Sequence, residues 1–211
     1  MRVTLYGSSS TASLVVHWLL IELGIEHKLV LLDFETRQQK SADYLALNPA
    51  GRVPTLVIDG EVLTEAAAIA LQLADLYPQA QLLPAPGSAG RAQAYRWMFW
   101  CANTLQPAYR AWFYADEPAG ADNADATREM ARQQLERAWQ QMADHLEGAG
   151  PYVLGEALSV VDFMLVMLMR WSRNMPRPSD SWPVLKAYAE RMKARPAFAE
   201  VYRREGITDW T

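Results

Sequence analysis

The chain has 211 residues, of which 51% are hydrophobic, and its formal net charge is −4 at neutral pH. This length and apolar content are typical of one or two globular domains with a sizeable core. The acidic balance, together with the lack of basic runs interleaved with aromatics, argues against a nucleic-acid partner.

The number of cysteines and the lack of targeting signals exclude further classes of protein. Cys101 is the only cysteine, which excludes an intramolecular disulfide and a paired-cysteine redox or zinc motif. The N-terminal residues MRVTLYGSSS lack the apolar core of a signal peptide, and no segment approaches the roughly 18 uninterrupted apolar residues of a membrane helix. We therefore expect a cytoplasmic protein without membrane insertion. The three histidines show no metal-ligand spacing, so no metal is expected.

The first segments predict a βαβ unit. RVTLY (2–6) favours a strand, SLVVHWLLIEL (13–23) favours a helix that is apolar on nearly every face, and HKLVLLDF (27–34) favours a second, buried strand. Two strands joined by one helix form a parallel pair with a right-handed crossover. A helix with so few polar residues needs cover on several sides.

A ββα unit is predicted next. TLVID and GEVL flank Asp59-Gly60, a dipeptide typical of tight hairpins. The Ala- and Leu-rich segment from Thr64 to Tyr77 predicts a helix that Pro78 ends. The first 80 residues are therefore expected to form one α/β domain.

Beyond the Pro- and Gly-rich linker QAQLLPAPGSAG, only helices are predicted, so residues 88–211 are expected to form an all-helical domain. Ser159 and Asp162 are spaced as a capping box at the start of an apolar helix, and Pro107 is expected to kink the helix that contains it. The helix over 125–147 has one apolar face, made of Ala131, Leu135, Ala138, Trp139, Met142 and Leu146.

Three segments, in this order of elements, resemble the cytosolic glutathione transferases. They are NPAGRVPTL (48–56), the Glu65-Ala66 pair, and Ser159 to Asp162. The resemblance implies a thioredoxin-like N-terminal domain, an all-helical C-terminal domain, and a cytoplasmic homodimer active in detoxification. It also implies glutathione as co-substrate, whose thiolate attacks a small apolar electrophile.

The resemblance also implies the glutathione contacts. Pro54 is expected to be cis, so that the backbone of Val53 can pair with the cysteinyl part of glutathione by strand addition. Glu65 and Ala66 begin a helix, where free N–H groups favour the γ-glutamyl carboxylate. The common family pattern has serine at the position of Ala66, so one hydroxyl contact is missing here.

The glycyl carboxylate of glutathione needs a cation or a hydrogen-bond donor. Lys40 and Arg52 are the candidate cations, and the resemblance favours Lys40. Gln39 is the neutral alternative.

Thiol activation requires a group that stabilises the thiolate. Counted back from Gly24, Ser10 occupies the position of the catalytic hydroxyl in serine-type members, whereas cysteine-type members have their cysteine at the position of Ala12. Counted from the first strand, Tyr6 matches the catalytic tyrosine of tyrosine-type members. The other hydroxyls of the loop that stay open are Ser9, Thr11 and Ser13.

The electrophile is expected to lie against the helix that contains Tyr109, Trp112 and Phe113. Tyr109 aligns with an active-site histidine of bacterial relatives, and Cys101 on the same helix is expected to be a small buried hydrophobe. A glutathione-dependent isomerase or dehalogenase on the same scaffold is the alternative enzyme. A non-catalytic glutathione-binding protein is the alternative of another class, and Ala66 favours it.

Overall fold

The computed structural model describes residues 1–211 and contains one four-stranded sheet. Its strands are β1 Val3–Gly7, β2 Lys28–Leu31, β3 Thr55–Ile58 and β4 Glu61–Thr64. The strand order is β2-β1-β3-β4, with β1 parallel to β2 and antiparallel to β3. The predicted βαβ and ββα units are therefore confirmed as a thioredoxin-like arrangement.

Nine α-helices accompany the sheet, and none combines the length and the apolar character that a membrane span requires. They are α1 Ser13–Glu22, α2 Ala42–Leu47, α3 Ala66–Leu76, α4 Ala89–Trp100, α5 Gln106–Phe113, α6 Ala124–Ala149, α7 Val160–Trp171, α8 Pro183–Lys193 and α9 Pro196–Glu205.

The sheet shows where local sequence signals were sufficient and where they were not. Asp59 and Gly60 form a two-residue hairpin loop with φ of 49° and 96°, as a type I′ turn requires. The expectation that β2 is buried is wrong. This strand lies at the sheet edge and pairs only with β1, which leaves Lys28 and Leu31 exposed.

The chain divides into two compact units. Residues 1–83 group with Lys193–Asp209, and Pro84–Met192 form the other unit. The difference from the expected domains lies at the chain's end, because α9 belongs with the first unit. The aromatic rings of Trp18 in α1 and Phe198 in α9 lie 5.1 Å apart. The apolar α1 thereby obtains cover from α9 as well as from α3.

The second unit is helical throughout. Every residue of α7 from Val160 to Arg170 is buried, and all six predicted core residues of α6 are buried. Between α4 and α5 the chain forms a π-helical stretch over Cys101–Leu105, and Pro107 lies in the first turn of α5 directly after it.

The capping box at the start of α7 is confirmed, and it is completely buried. The Asp162 carboxylate accepts bonds from the Ser159 N–H at 2.7 Å, the Ser159 hydroxyl at 2.8 Å, the Val153 N–H at 2.9 Å and the Tyr188 hydroxyl at 2.9 Å. Burial raises the pKa of Asp162, and the donors from Val153, Ser159 and Tyr188 oppose this rise. One side chain thus joins three segments of the helical unit.

Replacing Asp162 should therefore destabilise the protein. We expect Asp162→Ala to lower the free energy of unfolding by about 3 kcal/mol or more, because several buried donors lose their acceptor together. Denaturant unfolding measures this change. The matched control is Asp144→Ala on the exposed face of α6, which should stay within about 0.5 kcal/mol; equal losses for both variants would contradict the proposed role of Asp162.

Candidate functional site

The loop between β1 and α1 is held by its own hydroxyl groups. The Thr11 hydroxyl donates to the Ser8 carbonyl at 2.7 Å, and the Ser13 hydroxyl donates to the same carbonyl at 3.1 Å. A Cβ at Gly7 would lie only 2.6 Å from Ser13 Oγ, so this position needs glycine. The Ser9 hydroxyl donates to the backbone carbonyl of Glu205 in α9 at 2.8 Å. Three of the candidate hydroxyls, on Ser9, Thr11 and Ser13, therefore maintain the shape of the loop.

Ser10 has an unusual backbone at the centre of this loop. Its φ is +65°, in the left-handed region that residues with a Cβ seldom adopt. Its N–H points to the Glu205 carboxylate, with Ser10 N and Glu205 Oε2 3.4 Å apart. Non-glycine residues in this region persist where surrounding contacts hold them, and they cluster at functional sites.

Glu205 also binds a buried histidine. Its Oε1 lies 2.8 Å from Nδ1 of His17 in α1, and both side chains are completely buried. A buried carboxylate requires such partners, because its desolvation is otherwise costly. The His17 and His27 rings are nearly perpendicular, with centroids 5.2 Å apart. Glu205 therefore connects the end of the chain to both α1 and the Ser10 loop.

Neither His17 nor Glu205 was identified from the sequence. A signal for Glu205 does exist in α9. Phe198, Val201 and Tyr202 form a buried stripe at helical spacing, and Glu205 falls on its continuation. A carboxylate on an apolar stripe indicates a buried partner elsewhere.

The segment before β3 exposes an unpaired peptide. The Val53–Pro54 bond is cis, as expected. Val53 is partly exposed, and neither its N–H nor its C=O has a hydrogen-bond partner in the protein. The flanking Arg52 carbonyl and Thr55 hydroxyl, by contrast, are both bonded to Tyr44 and Asn48. One free donor and one free acceptor thus stand between fixed neighbours, as at the edge of a strand.

The start of α3 offers further donors. Glu65 precedes the helix with φ of 66° and ψ of 109°, and its side chain forms no capping bond. The first N–H groups of a helix have no acceptor within it, and the helix dipole favours an anion there. Ala66, the first residue of α3, is only 5% exposed. The predicted pair therefore stands at a helix terminus suited to a carboxylate.

Lys40 and Arg52 differ in their surroundings. The Lys40 ammonium donates to the Ala50 carbonyl at 3.2 Å, and a Cβ at Gly51 would lie 2.6 Å from its Nζ. Arg52 is exposed, and its guanidinium forms no ion pair. Gln39 has a buried side-chain oxygen without a partner.

Tyr6 has different neighbours from Ser10. Its ring centroid lies 5.9 Å from that of Tyr44 in α2, and in the sheet it pairs with Thr55. It lines a groove of about 490 Å³ that extends along α2. The other lining residues are Leu32, Gln38, Ser41, Asp43, Tyr44 and Leu47.

The three aromatics of α5 are buried to very different degrees. Tyr109 is completely buried, its ring centroid lies 5.9 Å from that of Phe113 and 5.6 Å from that of Trp171, and burial raises the pKa of its phenol. Phe113 is 49% exposed and Trp112 is partly exposed. Tyr109 therefore offers no surface to a small molecule and instead supports Phe113.

Cys101 is confirmed as a buried hydrophobe. It is completely buried, and burial raises the pKa of its thiol. A neutral, inaccessible thiol is a poor nucleophile. No group of three or more His, Cys, Asp or Glu side chains is arranged to hold a metal ion.

The contacts of Glu205 generate a stability prediction. We expect Glu205→Ala to lower the free energy of unfolding by about 3 kcal/mol, because His17 and the Ser10 N–H lose a buried acceptor. Glu200→Ala on the same helix is the control. It removes only surface pairs with Arg203 and Arg204 and should cost under about 1 kcal/mol. Thermal and denaturant unfolding measure both; a Glu200→Ala loss as large as that of Glu205→Ala would contradict the assignment.

Comparisons with known proteins agree with this geometry. Family models for the N-terminal and C-terminal domains of glutathione S-transferases match residues 1–75 and 102–204. A glutathione S-transferase of Xanthomonas campestris is 30% identical over 96% of this chain and 98% of its own. A probable maleylacetoacetate isomerase of Vibrio cholerae is 30% identical over 95% of each chain. A glutathione transferase homologue from Sulfitobacter, solved with bound glutathione, has a TM-score of 0.89 and 28% identity, covering 98% of this chain and 99% of its own. The chain therefore belongs to the glutathione S-transferase family.

Proposed function

We propose that the protein binds glutathione and transfers it, as thiolate, to an apolar electrophile. The unpaired peptide of Val53 carries this proposal. Glutathione is an extended peptide, so its cysteinyl N–H and C=O can pair with Val53 by strand addition. The same compact unit contains the start of α3 for one terminal carboxylate and the Ser10 loop for the thiol.

Each end of glutathione carries a carboxylate, and each carboxylate has candidate partners. The γ-glutamyl carboxylate accepts from the N–H of Glu65, directly before α3, and from the N–H of Ala66, its first residue. The glycyl carboxylate binds Lys40 or Arg52. Val53 and Pro54 hold the middle of the peptide, which places the thiol between the two anchored ends.

Chemistry begins when the glutathione thiol gives its proton to solvent water. The Ser10 hydroxyl donates a hydrogen bond to the sulfur near the start of α1, and this favours the thiolate over the thiol. The thiolate then attacks the electrophilic carbon, forming a C–S bond as the leaving group departs with its electron pair. Tyr6 is the alternative donor.

Glutathione binding is the first test. We expect millimolar glutathione to raise the melting temperature of the wild-type protein, since a ligand that binds only the folded state stabilises it. Ala66→Ser should lower the dissociation constant about 10-fold or more, because it adds a hydroxyl donor to a carboxylate.

Ala68→Ser, on the exposed side of the same helical turn, is the matched control and should leave the constant unchanged. If millimolar glutathione does not raise the melting temperature of the wild-type protein, the proposal is wrong.

Thiol activation is tested by Ser10→Ala. We expect the pKa of bound glutathione to rise by about 1 to 2 units and turnover near neutral pH to fall roughly 10-fold to 100-fold, because the thiolate loses one hydrogen bond. The rate of conjugation to a chlorodinitrobenzene, measured against pH, gives both quantities. Tyr6→Phe should leave the pH dependence of the conjugation rate unchanged. If Tyr6→Phe shifts this pH dependence and Ser10→Ala does not, Tyr6 is the donor.

A glutathione-dependent isomerase is the second candidate, because the Vibrio cholerae relative is named a probable maleylacetoacetate isomerase. The stoichiometry of glutathione separates the reactions. Transfer leaves glutathione in the product as a thioether, isomerisation returns it, and dehalogenation releases halide and gives a product without a glutathionyl group. Binding without turnover on any such electrophile would instead indicate the non-catalytic role.

We propose further that the protein acts in detoxification as a cytoplasmic homodimer. Its single cysteine fits a reducing compartment. Phe99 on α4 and Met130 on α6 are 54% and 53% exposed, and we propose that they lie in the dimer interface.

A further inference from the structure

We propose that Tyr44 and Asn48 are positioning residues for glutathione, which fix the Val53 peptide by holding the groups on either side of it. The inference rests on the proposed function. In this proposal neither residue contacts glutathione. Each affects glutathione affinity by fixing the backbone of residues 52–55.

The hydrogen bonds of this cluster use every available proton. The Tyr44 hydroxyl donates to the Arg52 carbonyl at 2.7 Å and, 2.8 Å away, accepts from the Thr55 hydroxyl. The Asn48 amide donates one proton to the same carbonyl at 2.8 Å and the other to Thr55 Oγ1 at 3.0 Å. The Arg52 carbonyl thus has both lone pairs occupied, which fixes its direction.

The cluster is also shielded from water. Tyr44 is 4% exposed, Asn48 is 5% exposed, and Thr55 is completely buried. Burial raises the pKa of the Tyr44 phenol, so it remains a donor throughout the neutral range. Buried hydrogen bonds of this kind are costly to break because the partner is left unpaired.

The preceding residues are anchored as well. Asn48 Oδ1 accepts the Ala50 N–H at 3.1 Å, and the Asn48 carbonyl accepts the Gly51 N–H at 2.9 Å. The Ala50 N–H, the Gly51 N–H and the Arg52 carbonyl are thus held, while both backbone groups of Val53 are left for another chain. A fixed, unpaired peptide lets a ligand bind without first ordering the loop, which lowers the entropic cost of binding.

This role predicts an effect on affinity rather than on chemistry. Tyr44→Phe and Thr55→Val keep the shapes of the side chains and remove hydroxyls from the cluster. We expect each to raise the glutathione dissociation constant, measured by calorimetry, about fivefold to tenfold. The turnover number at saturating glutathione should stay within about twofold, because the Ser10 loop is untouched.

Two controls separate positioning from general destabilisation. Thr55→Ser keeps the hydroxyl and should restore an affinity within about twofold of wild type. Asp162→Asn destabilises the other compact unit and should leave the dissociation constant unchanged even with a comparable loss of melting temperature. If Tyr44→Phe does not fold, the comparison of Thr55→Val with Thr55→Ser decides.

The outcomes distinguish this inference from the function on which it rests. Wild-type binding together with weakened binding by Thr55→Val, but not by Thr55→Ser, supports it. Wild-type binding with unchanged affinity in both Tyr44→Phe and Thr55→Val overturns the positioning role and leaves the proposed function intact. A wild-type protein that does not bind glutathione overturns both.

Discussion

The candidate site depends on one peptide that the fold leaves without a partner. β3 begins only at Thr55, and Val53, two residues earlier, pairs with no strand of the sheet. Backbone donors and acceptors are nearly always satisfied in a folded protein. Here the neighbouring groups are satisfied by Tyr44 and Asn48, so the unpaired peptide is a defined edge and not a disordered one. The proposed ligand supplies what the sheet does not.

Two other parts of the candidate site have a backbone conformation that residues with a Cβ seldom adopt. Ser10 and Glu65 both have positive φ, and each lies just before a helix that could receive an anion, α1 and α3 respectively. Such residues are held by their surroundings at a cost of about 1 to 3 kcal/mol. For Ser10 the contact is with the Glu205 carboxylate, which the buried His17 in turn binds. Both residues with positive φ are thus themselves residues proposed to bind or activate glutathione.

The sequence was sufficient where a feature is local. Asp59-Gly60 predicts a tight turn from two adjacent residues, and the spacing of Ser159 and Asp162 predicts the start of a helix from four. It was insufficient where burial depends on partners distant along the chain: β2 has an apolar sequence but lies at an edge, and Tyr109 has the spacing of a pocket residue but is enclosed. The cis bond before Pro54 was expected only through the family resemblance, because an X-Pro bond alone favours trans.

The Ser10 loop shows why the site as a whole cannot be derived from local patterns. The residue that accepts its N–H is 195 positions away, in the last helix of the chain. α9 covers the apolar α1 through Phe198 and places Glu205 beside both His17 and Ser10. The same packing that buries hydrophobic surface therefore brings a carboxylate under the loop. It follows that residues 1–83 alone do not hold the Ser10 loop in this form, because α9 supplies its contacts with Glu205.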